Sequence, residues 1–307
     1  MAIRLSASRL ASLEQCSFKF YCNEVLKLPE ATHVKTLAGS ALHSILEALI
    51  KPKHRKHYEL IKAAQSIHAS PAISRLVRWW KIKHSIPEEI IADVNPMTLL
   101  VINDTDFFCE GAEELYPPEH EFLFETKTAP LKGFIDKLAR YKDYMKIIDY
   151  KSKGKRFTDD ELRNNYQASV YQLYVWKKFK LKSIVEFVMA RHAPTKRTPD
   201  KHLQIVPAKS EAQLRGFEIY LESVGERFQS FGLEDAYSDF AAHDSKRKSF
   251  CQYVCQFKNA FDYIAVLKKT DKGSELVKTY SMDAKVELSE GEFSEIRHFN
   301  GCPAFNF

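Results

Sequence analysis

The spacing of hydrophobic residues changes along the chain and divides it into helical and extended segments. In four segments, apolar side chains recur every three or four positions, which puts them on one face of a helix and predicts amphipathic helices. These four segments are residues 6–50, 56–93, 159–180 and 210–231.

Short apolar runs replace the helical pattern over residues 119–151. Pro130, Gly133 and the segment RYKD separate these runs, and runs of this length bounded by turn residues predict strands. The segment LKSIVEFVMARH predicts a further strand, and the tail after residue 237 predicts two more. The alternation of strands and helices predicts an α/β fold with additional helices.

Composition narrows the class of protein. Hydrophobic residues make up 45% of the 307 residues and charged residues 28%, which is typical of a globular protein with a full core. The net charge of +6 is a mild bias towards polyanionic partners. Six cysteines are too sparse for a disulfide scaffold, and the sequence has neither an apolar signal core nor a run of about 18 apolar residues. We therefore expect a cytoplasmic protein with no membrane contact.

The stretch MKIIDYK ends an apolar run in Asp149 and Lys151. In a strand these two side chains point to the same face, and the preceding Ile147 and Ile148 indicate a strand that is buried on both faces. An acid and a lysine two positions apart are weak evidence alone, because the chain repeats the pattern elsewhere. The other pairs are Glu125 and Lys127, Asp244 and Lys246, and Asp283 and Lys285.

A second carboxylate, Asp136, ends the upstream run GFID. If residues 133–139 and 145–151 form a hairpin with Asp136 opposite Asp149, the two carboxylates lie close together. Two like charges at that distance need a cation between them, and hard oxygen ligands suit Mg²⁺ or Mn²⁺. The alternative is a hairpin whose register is shifted by one residue, so that the two acids face different ways.

Two helical segments add candidate groups. GSALH puts His43 on a helix that we expect to be opened by the small residue Gly39. QASVY puts Gln167 and Tyr171 four positions apart, hence on one helical face. A helical histidine is more often a core or surface residue than a ligand, so neither segment carries an argument by itself.

Four motifs follow one another in the chain: GSALH (39–43), GFID (133–136), IDYK (148–151) and QASVY (167–171). In this order they resemble the RecB-like branch of the PD-(D/E)XK nuclease superfamily, and are similar to CRISPR-adaptation and AddB-type nuclease domains. The opening SASRLASLEQCSFKFY also resembles that branch, and the resemblance covers about residues 3–180 and about 245–262. It implies a single restriction-endonuclease-like domain over residues 1–307, with a mixed β-sheet flanked by helices. A helical insertion is expected at about 52–100, the nuclease core at about 100–235 and a cysteine-containing segment at about 240–307.

The resemblance also implies roles for the candidate residues. Lys151 would orient or activate the attacking water, while Gln167 and Tyr171 would line the site and position the DNA strand. The implied ligands of Mg²⁺ or Mn²⁺ are His43, Asp136, Asp149 and the carbonyl of Tyr150.

Some members of this branch hold a [4Fe–4S] cluster with one cysteine near the N-terminus and three near the C-terminus. Cys16, Cys251 and Cys255 match in part, but the C-terminal gap is three residues rather than two, and Phe261 stands where the last cysteine is expected. A cubane needs four thiolates. The open alternatives are a decayed site that packs as ordinary core and a structural zinc. The candidates for the fourth thiolate are Cys22 and Cys302.

The segment RLVRWWKIK, residues 75–83, is a candidate nucleic-acid-binding surface. Trp79 or Trp80 would stack on unpaired bases. The alternative is an amphipathic helix whose tryptophans lie in the core. The candidate phosphate contacts are Arg75, Arg78, Lys81 and Lys83.

The implied function is a metal-dependent DNA nuclease, an exonuclease or end-processing hydrolase acting on single strands or duplex ends. Recombination, repair, replication and CRISPR adaptation are the settings that the branch implies, and a phage or small accessory protein would suit a compact version. The sequence has no G-x4-G-K-[ST] phosphate loop, so we expect any helicase activity to come from a helicase or recombination partner. The alternatives are a non-catalytic DNA-binding subunit that retains the fold, and a cluster-carrying structural protein.

Overall fold

The computed structural model describes residues 4–30, 34–244, 247–271 and 273–305. No helix within these residues is both long and apolar enough to cross a bilayer. The helices are α1 (Ala7–Gln15), α2 (Ser17–Glu24), α3 (Val34–Ile50), α4 (Arg55–Ala64), α5 (Pro71–Lys83), α6 (Glu88–Ile91), α7 (Val94–Asp104), α8 (Asp159–Arg163), α9 (Tyr166–Phe179), α10 (Glu211–Gln229), α11 (Leu233–Tyr237) and α12 (Lys248–Tyr253). The strands are β1 (Glu114–Leu115), β2 (His120–Glu125), β3 (Pro130–Ile135), β4 (Lys137–Arg140), β5 (Tyr144–Lys151), β6 (Lys182–Met189), β7 (Leu203–Val206), β8 (Phe261–Thr270), β9 (Gly273–Ser281) and β10 (Glu292–Phe299).

The chain divides into two compact units. Unit 1 consists of Met1–Ala31 and Glu222–Phe307, and unit 2 consists of Thr32–Leu221. The assignment of residues 1–307 to one nuclease domain stays a prediction, as do the approximate limits of the insertion, the core and the cysteine-containing segment.

A five-stranded sheet is the centre of unit 2, with the strand order β1-β4-β5-β6-β7. Strands β5 and β6 are parallel, and the other neighbours are antiparallel. The sheet is therefore mixed, as predicted. The central strand, β5, is buried along most of its length because it carries Met145, Ile147 and Ile148 between two other strands.

Helices cover both faces of this sheet. On one face, Leu42 of α3 belongs to the same buried apolar cluster as Ile148 and Tyr150 of β5. On the other face lies α9, whose Gln172 side chain donates hydrogen bonds to the carbonyls of Ser183 and Pro207. Because side chains alternate along a strand, the odd positions of β5 face α9 and the even positions face α3.

Helices α4 to α7 lie in and just beyond the segment that was predicted as a helical insertion, and its status as an insertion stays a prediction. Ile61, Val77 and Val101 from these helices are buried in the same cluster as α3. The apolar residues of these helices recur at helical intervals because they face this shared core. The prediction of helix over residues 56–93 is thus confirmed, although the segment is broken into α4, α5 and α6.

Strands β2 and β3 form a separate antiparallel hairpin. Gly133 was expected to separate two runs, but it lies inside β3, directly opposite Phe122. A Cβ atom on Gly133 would come within 2.4 Å of the Phe122 ring. The glycine is therefore explained by a close approach of the ring to the backbone rather than by a turn.

Unit 1 contains a three-stranded antiparallel sheet with the order β10-β8-β9. The sequence predicted two strands in the tail, which is one too few. Most positions of β10 are polar or half-exposed, and only Phe299 is buried. Its pairing with β8, from Glu292 opposite Lys268 to Phe299 opposite Phe261, is what makes it a strand.

Candidate active site

The hairpin of β4 and β5 brings the two predicted acids together. Lys137 lies opposite Ile148, and the same register extended by one residue puts Asp136 opposite Asp149. Asp136 also accepts a hydrogen bond through Oδ2 from the backbone N–H of Tyr150 at 2.7 Å. The main chain of β5 therefore fixes the Asp136 carboxylate.

Asp149 and Lys151 form an ion pair on the face of β5 towards α9. The distance from Lys151 Nζ to Asp149 Oδ2 is 2.6 Å, and Asp149 is only 1% exposed. Burial raises the pKa of the Asp149 carboxyl to about 6, although the neighbouring ammonium of Lys151 acts in the opposite direction. The expected same-face arrangement of Asp149 and Lys151 is present.

Helix α9 holds this ion pair from its first turns. The Asn165 side chain caps the helix by accepting a hydrogen bond from the N–H of Ala168. Gln167 then donates to Asp149 Oδ1 at 2.7 Å and accepts from Lys151 Nζ at 2.6 Å through its own Oε1. One amide thus binds both the carboxylate and the ammonium, which fixes their separation.

Tyr171, one turn further along α9, connects this network to β3. Its hydroxyl donates to the carbonyl of Phe134 at 2.6 Å and accepts from Gln167 Nε2 at 2.6 Å. Burial raises the pKa of Tyr171 well above its usual value, so the phenol stays neutral. Tyr171 therefore orients Gln167 and holds β3 beside β5.

His43 approaches Asp136 from α3. Its Nδ1 atom lies 3.3 Å from Asp136 Oδ2 and 3.8 Å from Glu119 Oε1. Burial alone would lower the pKa of His43, but the negative charges of Asp136 and its neighbours raise it to about 10. The imidazole is therefore positively charged at neutral pH and forms an ion pair with Asp136.

Glu119 is a part of the site that the sequence did not indicate. It precedes β2 with a positive φ of 53°, and its N–H donates to the carbonyl of Asp136 at 3.1 Å. Glutamates also stand at 113, 114 and 121, so the sequence offered no reason to select this one. Its contact with His43 depends on the turn that carries it.

Gly39 was expected to open the helix that carries His43, but the helix begins earlier, at Val34. Gly39 lies inside α3, where a Cβ atom would be 2.4 Å from Ser152 Oγ. The Ser152 carbonyl accepts a hydrogen bond from Arg191 Nε at 2.7 Å, which holds that segment in place. The glycine therefore permits a close approach of α3 to the residue that follows Lys151.

The donor set suits a divalent cation. The ligand atoms of His43, Glu119 and Asp136 lie within 4.8 Å of one another, and no other such group occurs among the described residues. Asp149 Oδ2 faces the Lys151 ammonium at 2.6 Å, so a cation at this carboxylate would lie beside a second positive charge. One imidazole with several carboxylates is a donor set that Mg²⁺ and Mn²⁺ accept.

Helix α5 presents only part of the predicted nucleic-acid-binding surface. Trp80 packs against the buried cluster, whereas Trp79 is 47% exposed and has the Lys83 ammonium 4.4 Å from its ring centre. Lys81 is paired with Glu88. Trp80 thus lies against the core, whereas the stacking of Trp79 on unpaired bases stays a prediction. The candidate residues that are exposed on this helix are Arg75, Arg78 and Lys83.

Four cysteines line one cavity in unit 1: Cys16, Cys251, Cys255 and Cys302. They come from the start of α2, from α12 and the turn after it, and from the segment after β10. Burial raises the pKa of the Cys302 thiol to about 11, and the nearby cysteines act in the same direction. Cys22, the fourth thiolate favoured from sequence, is fully buried but is not among the residues that line the cavity.

Comparisons with known proteins give one informative match. The model of the PD-(D/E)XK nuclease superfamily matches residues 4–260. No match is found among curated proteins. A solved structure described as "Crystal structure of SSO0001" is 17% identical and has a TM-score of 0.27, with 74% of this chain and 97% of that chain covered. A likeness at that TM-score carries no argument.

Proposed function

Because the chain belongs to the PD-(D/E)XK nuclease superfamily, we propose that it is a metal-dependent deoxyribonuclease that hydrolyses phosphodiester bonds at DNA ends or in single strands. The observation that carries the proposal is the pair of acids at 136 and 149. Asp136 lies beside His43, and Asp149 lies beside Lys151, so two carboxylates, an imidazole and an ammonium share one site.

Three side chains and one main-chain group would hold the cation. The resemblance implies His43, Asp136, Asp149 and the carbonyl of Tyr150. Among the described residues, the ligand atoms that lie within 4.8 Å of one another are those of His43, Asp136 and Glu119, so Glu119 would join the set. A bound divalent ion neutralises charge on a phosphate and makes water more acidic. A cation at this site would also favour the charged form of Asp149, whose carboxyl has a pKa that burial raises to about 6.

Lys151 supplies a second positive charge. Its ammonium is 2.6 Å from both Asp149 Oδ2 and Gln167 Oε1, so its position is fixed before substrate arrives. A fixed ammonium stabilises negative charge that develops on phosphate oxygens and can orient the attacking water. Gln167 and Tyr171 position this group and the acid through the hydrogen bonds of α9.

The alternative is a DNA-binding subunit without catalysis. Such a protein needs neither a lysine paired with Asp149 nor a second acid beside His43. The presence of all of these groups favours the enzyme. We propose exonuclease or end-processing activity in recombination or repair, with single strands or duplex ends as the substrate.

Cleavage of end-labelled DNA with Mg²⁺ or Mn²⁺ tests the proposal. We expect EDTA to abolish cleavage, and Asp149→Asn and Lys151→Gln each to reduce its rate by at least about 100-fold, because each removes charge stabilisation at the phosphate. Asp283→Asn is the matched control, since Asp283 also precedes a lysine by two residues but is exposed. Cleavage at the wild-type rate by both site variants would exclude the assignment.

We further propose that the four cysteines of unit 1 bind a [4Fe–4S] cluster. Four thiolates are the normal ligand set of that cluster, and four thiols line the cavity. A structural zinc is the alternative, because tetrahedral zinc also binds four thiolates.

The ligand set can be tested by iron and sulfide analysis of protein purified without oxygen. We expect Cys302→Ser to lower the iron content and the visible absorbance, and Cys22→Ser to leave both unchanged. Cys109→Ser is the control, because Cys109 is a buried thiol of unit 2. Colourless protein that contains no iron would exclude the cluster, and stoichiometric zinc would identify the other metal.

A further inference from the structure

The hairpin of β2 and β3 has an exposed apolar outer face. Phe134 is 46% exposed and Leu123 is 57% exposed, although both lie in regular strands. Their strand neighbours Phe122 and Ile135 are buried. Leu123 and Phe134 therefore share the outer face of the hairpin, where an aromatic ring and an aliphatic side chain are accessible to a ligand.

The inner face holds the hairpin rigidly. Phe122 stacks on Tyr174 of α9 with ring centres 4.4 Å apart, and its ring lies against Gly133. The Tyr171 hydroxyl donates to the carbonyl of Phe134 at 2.6 Å. The main chain that carries the Phe134 ring is therefore fixed by the same tyrosine that orders the catalytic network.

Phe134 is also close to the metal-binding acids. It precedes Asp136 by two residues, and the residue between them, Ile135, is fully buried. Asp136 lies at a bend directly after β3, so Phe134 and Asp136 are close along the chain. At about 3.3 Å per residue, their Cα atoms are separated by about 7 Å or less. That is comparable with the distance from one phosphate to a neighbouring nucleotide's base.

The charges around the ring favour a base over a phosphate. Lys132 lies with its ammonium 5.1 Å from the centre of the Phe134 ring, but the same ammonium is 2.5 Å from Glu121 Oε1. The lysine is thus already neutralised by a carboxylate. What the hairpin offers is an aromatic surface next to a balanced ion pair, which suits stacking by a flat, uncharged ring.

We propose that Phe134 is a stacking platform for one unpaired nucleobase adjacent to the scissile phosphate. The proposal rests on the nuclease function proposed above and narrows its substrate to single strands or frayed ends, because a base within a duplex cannot stack on a protein ring. Phe134 would position the strand and take no part in bond cleavage.

The test is a thermodynamic cycle that combines a change in the protein with a change in the DNA. DNA-binding affinity is measured in EDTA, where no cleavage occurs. One change is Phe134→Ala, and the other is a single abasic position moved along a fluorescent single-stranded oligonucleotide. Stacking of one base contributes about 1–3 kcal/mol, so we expect Phe134→Ala to weaken binding by about 5- to 150-fold and Phe134→Trp to preserve it. At one position, removal of the base should weaken binding to the wild type but not to Phe134→Ala.

Ile205→Ala is the control, because Ile205 is 52% exposed on β7 of the same unit and should bind like the wild type. The thermal unfolding midpoint of each variant checks that it folds. If every abasic position weakens binding to the wild type and to Phe134→Ala by the same factor, the stacking platform is excluded. That result would hold even if the wild type cleaves DNA. If the coupling is found but the wild type never cleaves, the platform stands and the nuclease proposal fails.

Discussion

His43 must give up a proton before it can bind a metal ion. Asp136 and its neighbours raise its pKa to about 10, so the imidazole is protonated at pH 8. Metal ligation needs the neutral ring, and binding therefore releases that proton. We expect Mn²⁺ affinity to rise with pH up to about 10, and calorimetry in buffers of different ionisation enthalpy at pH 8 to show about one proton released.

The control for this prediction is His43→Gln, which should release about one proton fewer than the wild type on binding Mn²⁺. Without metal, the contribution of His43 to the stability of the fold falls as the pH rises, whereas metal affinity increases. The folded-state pKa of His43 lies above its usual 6.5, so its contribution is complete below pH 6.5 and is lost as the pH rises to about 10. Equal proton release from the wild type and His43→Gln would contradict a role for this imidazole as a ligand.

Single residues also mark the limit of what the sequence could predict about the site. Asp136, Asp149 and Lys151 were predictable, because each ends or follows an apolar run in a strand. Glu119 was not, because its proximity to His43 arises from a turn with positive φ, and nearby glutamates look the same in sequence. Cys302 was only one of two candidates, since its approach to Cys16 depends on how the segments after β8 pack.

At the scale of elements, the approach of α3 to the end of β5 depends on Gly39. A Cβ atom there would lie 2.4 Å from Ser152 Oγ, and Arg191 holds the Ser152 main chain. We expect Gly39→Ala to lower the free energy of unfolding by about 1–3 kcal/mol, as overpacking does, and to slow cleavage by displacing His43 from Asp136. Denaturant unfolding and the cleavage assay measure the two effects.

A second change distinguishes overpacking from a general effect on the helix. Ser152→Ala removes the obstructing oxygen, so the double variant should recover most of the lost stability. Gly216→Ala in α10 is the matched helical control, because no atom lies within 4 Å of its added Cβ; it should gain about 0.5–1 kcal/mol. If Gly39→Ala behaves like Gly216→Ala, the close approach has no energetic consequence.

Elements were predictable where the hydrophobic pattern is set locally. The helices at 56–93 and 210–231 and the strands at 119–151 follow directly from apolar spacing. The tail was predicted to hold two strands and holds three, because the side chains of β9 and β10 are mostly exposed and their pairing with β8 makes them extended. The order of the strands in the sheet likewise depends on contacts between distant segments, which periodicity does not encode.

At the scale of the whole molecule, the net charge of +6 and the exposed arginines of α5 predict salt-sensitive DNA binding. Each phosphate contact releases counterions and adds about 0.9 to the slope of log affinity against log salt. We expect Arg75→Gln and Arg78→Gln each to reduce that slope by about 1. Binding titrations between low and physiological salt measure it.

Arg55→Gln is the control for charge alone, because Arg55 is exposed but already paired with Glu59 at 2.8 Å. It should change the slope less than either α5 variant. An affinity that hardly changes with salt in the wild type would show that phosphate contacts contribute little to binding. It would leave the base-stacking proposal for Phe134 untouched, since stacking depends weakly on ionic strength.

The close fit of Phe122 against Gly133 has a consequence for how the sequence can drift. A Cβ atom at position 133 would overlap the Phe122 ring at 2.4 Å, so the ring would have to move from its place against Tyr174. A smaller side chain at position 122 would remove the overlap. The two positions are thus expected to covary among descendants, with larger residues at 133 accompanied by smaller ones at 122.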